Sequence, residues 1–177
     1  MIFFTFATGQ DDEIASPIYV KELFRTAEYA FKTGGERALR RISQFNDYFE
    51  ILDSQKRMHN YCGAGKSVLQ VDTQGKFYAC NWFVGDKKEE LGSGLNLDQE
   101  KVSKYAEPLV KLNNCGDCWA KYLCGGGCMF VHRSRTQDKH KKDAEFCNRT
   151  RSIIQKGLEY YEKSRQLENE GERSEVY

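Results

Sequence analysis

Cys115-Gly116-Asp117-Cys118-Trp119-Ala120-Lys121-Tyr122-Leu123-Cys124-Gly125-Gly126-Gly127-Cys128 is the stretch on which the reading of this 177-residue chain turns. Cys115 and Cys118 form a C-x2-C turn, a spacing that brings two thiolates onto one metal centre while the intervening amides point back at sulfur. Cys124 follows after five residues. Cys128 follows after three more, all of them glycine. Three glycines put no side chain in the way of a bulky cofactor, and their N–H groups are free to bond sulfide or thiolate. The remaining cysteines are Cys62, Cys80 and Cys147. A disulfide framework would need an oxidising compartment and would leave one of seven cysteines unpaired. Zinc suits a four-cysteine site with C-x2-C, but zinc ribbons usually pair two such knuckles and only one occurs here. Iron–sulfur clusters accept uneven spacings and long returns such as that to Cys147. Spacing alone favours iron–sulfur over zinc and leaves both open.

Upstream of the cysteine-rich run, Val68-Leu69-Gln70-Val71 and Lys76-Phe77-Tyr78-Ala79 flank Asp72-Thr73-Gln74-Gly75 and predict a β-hairpin ending at Cys80. A charged patch from Asp86 to Glu90 and a glycine-containing turn at Leu91-Gly92-Ser93-Gly94 come next, then a predicted helix over 98–112 with Pro108 as a kink. Residues 113–130 are too irregular for regular structure throughout. Before the cysteines, Ser16-Pro17 reads as a helix start, with apolar spacing running to Gly34-Gly35. A second helix is predicted over 36–52, with Leu39, Ile42, Phe45, Phe49 and Leu52 on one face. Phe3, Phe4 and Phe6 suggest a strand whose open edge would favour self-association. After the cysteines, an amphipathic helix is predicted over 143–166, with Phe146, Thr150, Ile154, Leu158 and Tyr161 along one side. The fold class is therefore α+β: a helical N-terminal segment (1–57), a cysteine-bearing domain (58–165) and a charged tail (166–177).

Twenty-seven Lys and Arg against 26 Asp and Glu give a formal net charge of +1, with no electrostatic reason to expect nucleic acid or an anionic membrane. No apolar run reaches the length of a membrane span, and the apolar opening residues lack a basic n-region, so a cytoplasmic protein with reduced thiols is expected. Leu, Ile, Val and Phe make up only about a fifth of the chain, so something besides apolar burial is expected to help hold the fold. No Ser–His–Asp arrangement, phosphate-cradling glycine loop or paired-carboxylate motif stands out, so no catalytic residue is assigned. His59 and His132 stand near cysteines as candidate ligands or donors, against the plainer reading of ordinary loop histidines. His140, Lys139, Lys141 and Lys142 read as a solvated face. Trp82 and Trp119 read either as shields for a cluster or as core aromatics.

The run Cys62-x12-Gly75-x4-Cys80, Cys115-x2-Cys118-x5-Cys124-x3-Cys128 and Cys147 resembles the SPASM domain, the auxiliary iron–sulfur extension of radical SAM enzymes that modify peptides and proteins. The similarity covers roughly residues 58–160. Cys62-Gly63-Ala64-Gly65, the hairpin ending at Cys80, Phe83-Val84 and Leu91-Gly92 resemble the same places in sulfatase-maturating enzymes and thioether-forming peptide maturases. The resemblance implies two auxiliary [4Fe-4S] clusters, the first held by Cys62, Cys80 and Cys128 and the second by Cys115, Cys118, Cys124 and Cys147. Positions 63–79 hold no cysteine, so the fourth ligand of the first cluster is left unassigned. The resemblance further implies electron transfer and docking of a peptide or protein substrate. The C-x3-C-x2-C loop that would hold the cluster cleaving S-adenosylmethionine is absent: Cys124-x3-Cys128 would be completed at position 131, which is Val131. S-adenosylmethionine then enters only through a radical SAM core domain in cis or in trans. The chain is expected to be the back end of such an enzyme, as a fragment, a split-gene product or a stand-alone module, with 1–57 a remnant or exit of the barrel.

Overall fold

The computed structural model describes residues 1–2 and 12–174. In chain order the elements are α1 (Asp12–Leu39), α2 (Ser43–Asp53), β1 (Gln70–Val71), β2 (Lys76–Tyr78), a 3-10 turn (Asn81–Phe83), β3 (Glu90–Ser93), β4 (Asn96–Leu97), α3 (Gln99–Ser103), α4 (Leu109–Leu112), α5 (Lys121–Cys124), α6 (Met129–Thr136) and α7 (Ala144–Ser174). The fold is α+β. Among the described residues, no helix is long and apolar enough to cross a membrane. The chain divides into two compact units, one of Met58–Asp143 and one of Met1–Arg57 with Ala144–Tyr177.

In the helical unit, α1 begins at Asp12 and carries Pro17 inside it, so Ser16 is not the predicted cap. As the sixth residue of the helix, Pro17 lies past the first turn, so it removes the hydrogen bond to the Glu13 carbonyl and sets its ring against that carbonyl. The buried Ser16 hydroxyl instead accepts a hydrogen bond from Arg149 Nη1 at 3.2 Å. Gly34 and Gly35 leave helical geometry (φ −154° and 58°), the break predicted there. The helix predicted over 36–52 is interrupted. The chain turns after Leu39, Ile42 pairs with Ile2 in a parallel bridge, and α2 resumes at Ser43. Ile2 N donates to Arg41 O (2.5 Å) and Ser43 N to Ile2 O (3.0 Å), so a two-residue contact replaces one helical turn. Phe3, Phe4 and Phe6 lie outside the described residues. Leu23, Ala27, Leu39, Ile42, Phe45, Phe49, Ile153 and Tyr160 form the core, each large side chain contributing roughly 1.5–3 kcal/mol by burial. Leu52, predicted on the same face, is only half-buried. Tyr160 of α7 stands between Phe31 (4.9 Å) and Phe45 (5.9 Å). α7 runs eight residues past its predicted end at Gln166.

In the unit Met58–Asp143, the predicted hairpin forms with Gln70 opposite Tyr78 and Val71 opposite Phe77. Asp72 Oδ1 accepts from the N–H groups of Gln74 (2.8 Å) and Lys76 (2.9 Å), which closes the turn. The sheet is larger than predicted: β3 and β4 extend it to four antiparallel strands in the order β1-β2-β3-β4. The helix predicted over 98–112 is split. Asp98 caps α3 by accepting from Lys101 N (3.0 Å), and Pro108 stands at the start of α4. Ala64, Ala79, Phe83, Leu91, Tyr105, Leu109 and Met129 form this unit's core.

Candidate metal centre

Cys62 and Cys80, far apart in sequence, are laid side by side through backbone hydrogen bonds, and the helical starts at Cys80 and Cys128 meet through the ring of Phe130. The turn after Cys62 is closed by Val68 N donating to Gly63 O (3.0 Å), and Gly65 N donates to Ala79 O (3.2 Å), which lays this turn against the end of β2 beside Cys80. Cys80 precedes the 3-10 turn Asn81–Phe83 and accepts from Phe83 N through its carbonyl (3.0 Å). Cys128 stands in the same position before α6, with its carbonyl accepting from His132 N (3.0 Å). Phe130 joins the two starts: its ring stacks on Trp82 at 5.2 Å and meets Phe83 at 6.1 Å.

Burial pushes the Cys80 thiol above its ordinary pKa, and the neighbouring Cys62 adds to the rise. Burial does the same to Cys128, with Cys80 and Cys62 both contributing. The Cys80 thiol therefore feels charge at Cys62, and the Cys128 thiol feels charge at both, a repulsion that a bound cation would relieve. Backbone N–H groups oppose the rise: those of Trp82 and Phe83 for Cys80, and those of Val131 and Phe130 for Cys128. Each sulfur thus sits at the start of a helical turn with the amides two and three residues on facing it, though neither makes a regular capping hydrogen bond.

Cys115 and Cys118 form the second grouping. Cys118 N donates to Cys115 O at 3.0 Å, which closes the C-x2-C turn. Burial raises the Cys115 thiol; Lys142 pulls it down, Cys118 pushes it up and Lys121 pulls it down. The two ammonium groups are fixed beside it, Lys142 Nζ on Asn114 O and Lys121 Nζ on Gly116 O, both at 2.6 Å. Lys141 and Lys142 are exposed, as the reading of a solvated face expected, whereas Lys139 is half-buried with its ammonium on Glu89. Cys124 ends α5. Cys147 lies on the first turn of α7, in the helical unit. The cysteines carry no disulfide. Among the described residues, no three His, Cys, Asp or Glu side chains converge closely enough to hold a metal ion. As donors the residues fit a thiophilic group: soft sulfurs with amides and ammonium groups nearby that favour the thiolate.

The three glycines differ from their sequence reading. A Cβ on Gly125 would lie 2.5 Å from the Asn60 carbonyl carbon, and one on Gly126 would lie 2.7 Å from that of Leu109. Both have positive φ (70° and 94°). Two of the three therefore serve a tight crossing of three backbone segments, and are not open to an approaching cofactor. Asn60 Oδ1 accepts from Leu109 N (3.0 Å) and His59 O from Val110 N (3.2 Å), completing that crossing next to Cys62.

His132 is fully buried; Nδ1 accepts from Asp143 N (3.2 Å) and Nε2 faces Gly126 O (3.4 Å), so it is a core histidine with both nitrogens engaged. His59 is exposed and lies edge-on to Tyr122. His140 is not solvated as predicted: it is half-buried, with Nδ1 3.0 Å from Asn113 Oδ1. Trp82 and Trp119 are 65% and 57% exposed, which overturns their reading as core aromatics. Sequence reasoning also missed the buried Glu89. Its carboxylate accepts from Lys139 Nζ (2.8 Å), Arg133 Nη1 (3.0 Å) and the Tyr105 hydroxyl (3.1 Å), and Arg133 also bonds Asp86. Burial, then the Glu89 charge, raises the Tyr105 hydroxyl far above its ordinary pKa. This network ties the segment after Phe83 to α6 and so holds the Cys80 and Cys128 turns together. Asp86 to Glu90 looks like a plain charged patch in sequence, with nothing to mark Glu89 as its buried member.

No family model matches this sequence, and no curated protein matches it significantly.

Proposed function

We propose that this chain is the auxiliary iron–sulfur region of a radical SAM enzyme that modifies a peptide or protein, with S-adenosylmethionine chemistry supplied by a core domain in cis or in trans. Cys62, Cys80 and Cys128 are the proposed ligands of one [4Fe-4S] cluster. Cys115, Cys118, Cys124 and Cys147 are those of the other. The observation that carries the reading is that backbone hydrogen bonds lay the turn after Cys62 against the end of β2 beside Cys80, while Cys80 and Cys128 each stand at a helical start and the ring of Phe130 joins those two starts. When bound, such clusters supply acceptance and passage of single electrons. The chain's own part is to offset in part the burial that disfavours the thiolates, through the amides at Trp82, Phe83, Phe130 and Val131 and the ammonium groups of Lys121 and Lys142. Trp82 and Phe130 present an aromatic face beside the first set, suited to an apolar side chain of a substrate peptide.

Anaerobic purification followed by iron, sulfide and zinc analysis and a visible spectrum tests this. A brown protein with iron and acid-labile sulfide in equal amounts is expected. A colourless protein with stoichiometric zinc would instead establish a zinc-binding structural or interaction module without a redox role.

A further inference from the structure

In the helical unit, α1 and α7 enclose a groove of about 560 Å³ whose apolar side is Phe24, Phe31 and Tyr160. Its rim carries five cations, Lys21, Arg25, Lys32, Lys156 and Lys163, against a single lining carboxylate, Glu28. Three of the cations have local carboxylate partners: Arg25 on Glu22 (2.8 Å), Lys32 on Glu28 (2.7 Å) and Lys156 on Glu159 (2.9 Å). Among the described residues, no carboxylate pairs with Lys21 or Lys163. The surplus charge is felt inside the groove, where Lys32, then Lys156 and Lys163, holds the Glu28 carboxyl below its ordinary range. Beyond the groove the same stripe of α1 carries exposed Ile14, Ile18 and Tyr29, at 70%, 58% and 70%. At 100° per residue, Ile14, Ile18, Lys21, Arg25, Tyr29 and Lys32 all fall on one face, which runs for about 27 Å at 1.5 Å per residue.

We infer that the α1–α7 groove is a docking site for an acidic amphipathic helix of a protein partner. A helix laid in a two-helix groove places apolar side chains at i, i+3, i+4 and i+7 on the floor and its flanking residues on the rim. Here the floor is aromatic and the rim cationic, so the fitting occupant carries Leu or Phe on one face and Glu or Asp on both flanks. The charge complementarity sets orientation and encounter rate more than affinity. Nucleic acid fits less well: exposed Ile14 and Ile18 gain nothing from phosphates, and the cations border an apolar floor instead of tracking a backbone.

Fluorescence anisotropy of the full chain with a labelled peptide of about 18 residues, some five helical turns, tests the inference. The peptide carries Leu and Phe at helical spacing and Glu elsewhere. Two competing probes are the same peptide with Lys for each Glu and a single-stranded oligonucleotide. The Glu peptide is expected to bind, more weakly as salt rises, and to lose about tenfold or more in affinity when Lys21→Glu and Lys163→Glu are combined. Both side chains are exposed, so helicity by circular dichroism should not change; the milder Lys21→Gln/Lys163→Gln pair is expected to lower affinity in the same direction. Ile18→Asp should weaken binding as well. Failure of the Glu peptide to bind, equal binding of the Lys peptide, tighter binding of the oligonucleotide, or indifference to the lysine changes would each overturn the inference.

Discussion

Gly126 sits where backbone segments of the unit Met58–Asp143 cross. Its φ of 94° and the 2.7 Å approach of Leu109 to a would-be Cβ leave no room for a side chain, while its carbonyl accepts from the buried Asn113 amide at 2.7 Å. Gly126→Ala combines left-handed strain with overpacking against backbone, and is expected to destabilise the metal-free chain by about 2 kcal/mol or more. Gly116→Ala, in the C-x2-C turn, meets nothing within 4 Å and should fall within about 0.5 kcal/mol of wild type. Urea unfolding of both variants checks this; equal stability of the two would contradict the crossing geometry. The sequence marked the glycine run as special but not its reason. Composition points to an open approach, whereas the partner segments at Asn60 and Leu109 are distant in sequence and invisible to local pattern.

Between α1, α2 and α7 a polar clasp closes the helical core. Arg165 Nη2 reaches both oxygens of Glu36 (2.8 and 2.7 Å), Arg40 bonds Glu36 (2.7 Å) and Asp53 (2.6 Å), and the Tyr161 hydroxyl donates to Asp53 (2.7 Å). Burial pushes the Asp53 carboxyl up, but the Tyr161 hydroxyl and Arg40 outweigh it and hold the carboxyl below its ordinary range. A carboxylate with a depressed folded pKa contributes stability above its unfolded pKa of about 3.9 and loses it as pH falls through the lower folded value. Thermal unfolding should therefore show a steeper fall below about pH 4 in wild type than in Asp53→Asn; parallel acid limbs would show that the clasp does not couple to this carboxyl. Long periodic helices were legible, as was the hairpin, whose Asx turn is written in four adjacent residues. Breaks and extensions were not. Ile2 and Ile42 interrupt a helix through a contact forty residues apart in sequence, and β3–β4 form from Glu90–Ser93 and Asn96–Leu97, too short and polar to announce strands.

Across the chain, sulfur is distributed unevenly. Six cysteines belong to Met58–Asp143 and Cys147 to the helical unit, on the first turn of α7. Backbone hydrogen bonds and short turns lay the segment after Cys62 against Cys80 and close the Cys115–Cys118 turn, while among the described residues no three His, Cys, Asp or Glu side chains converge closely enough to hold a metal ion. The buried Glu89 network that steadies the Cys80 and Cys128 turns was not legible, because its members act through contacts between the segment at 86–89, Tyr105 and α6. The central claim is that seven thiolates serve two separate clusters. Its most direct measure is the iron bound per chain, after anaerobic reconstitution, in Cys80→Ala and Cys147→Ala beside wild type. Each variant is predicted to keep about half of the wild-type iron and sulfide, because removing a ligand from one set leaves the other whole. Loss of all iron in either variant, or of none in both, would contradict the account.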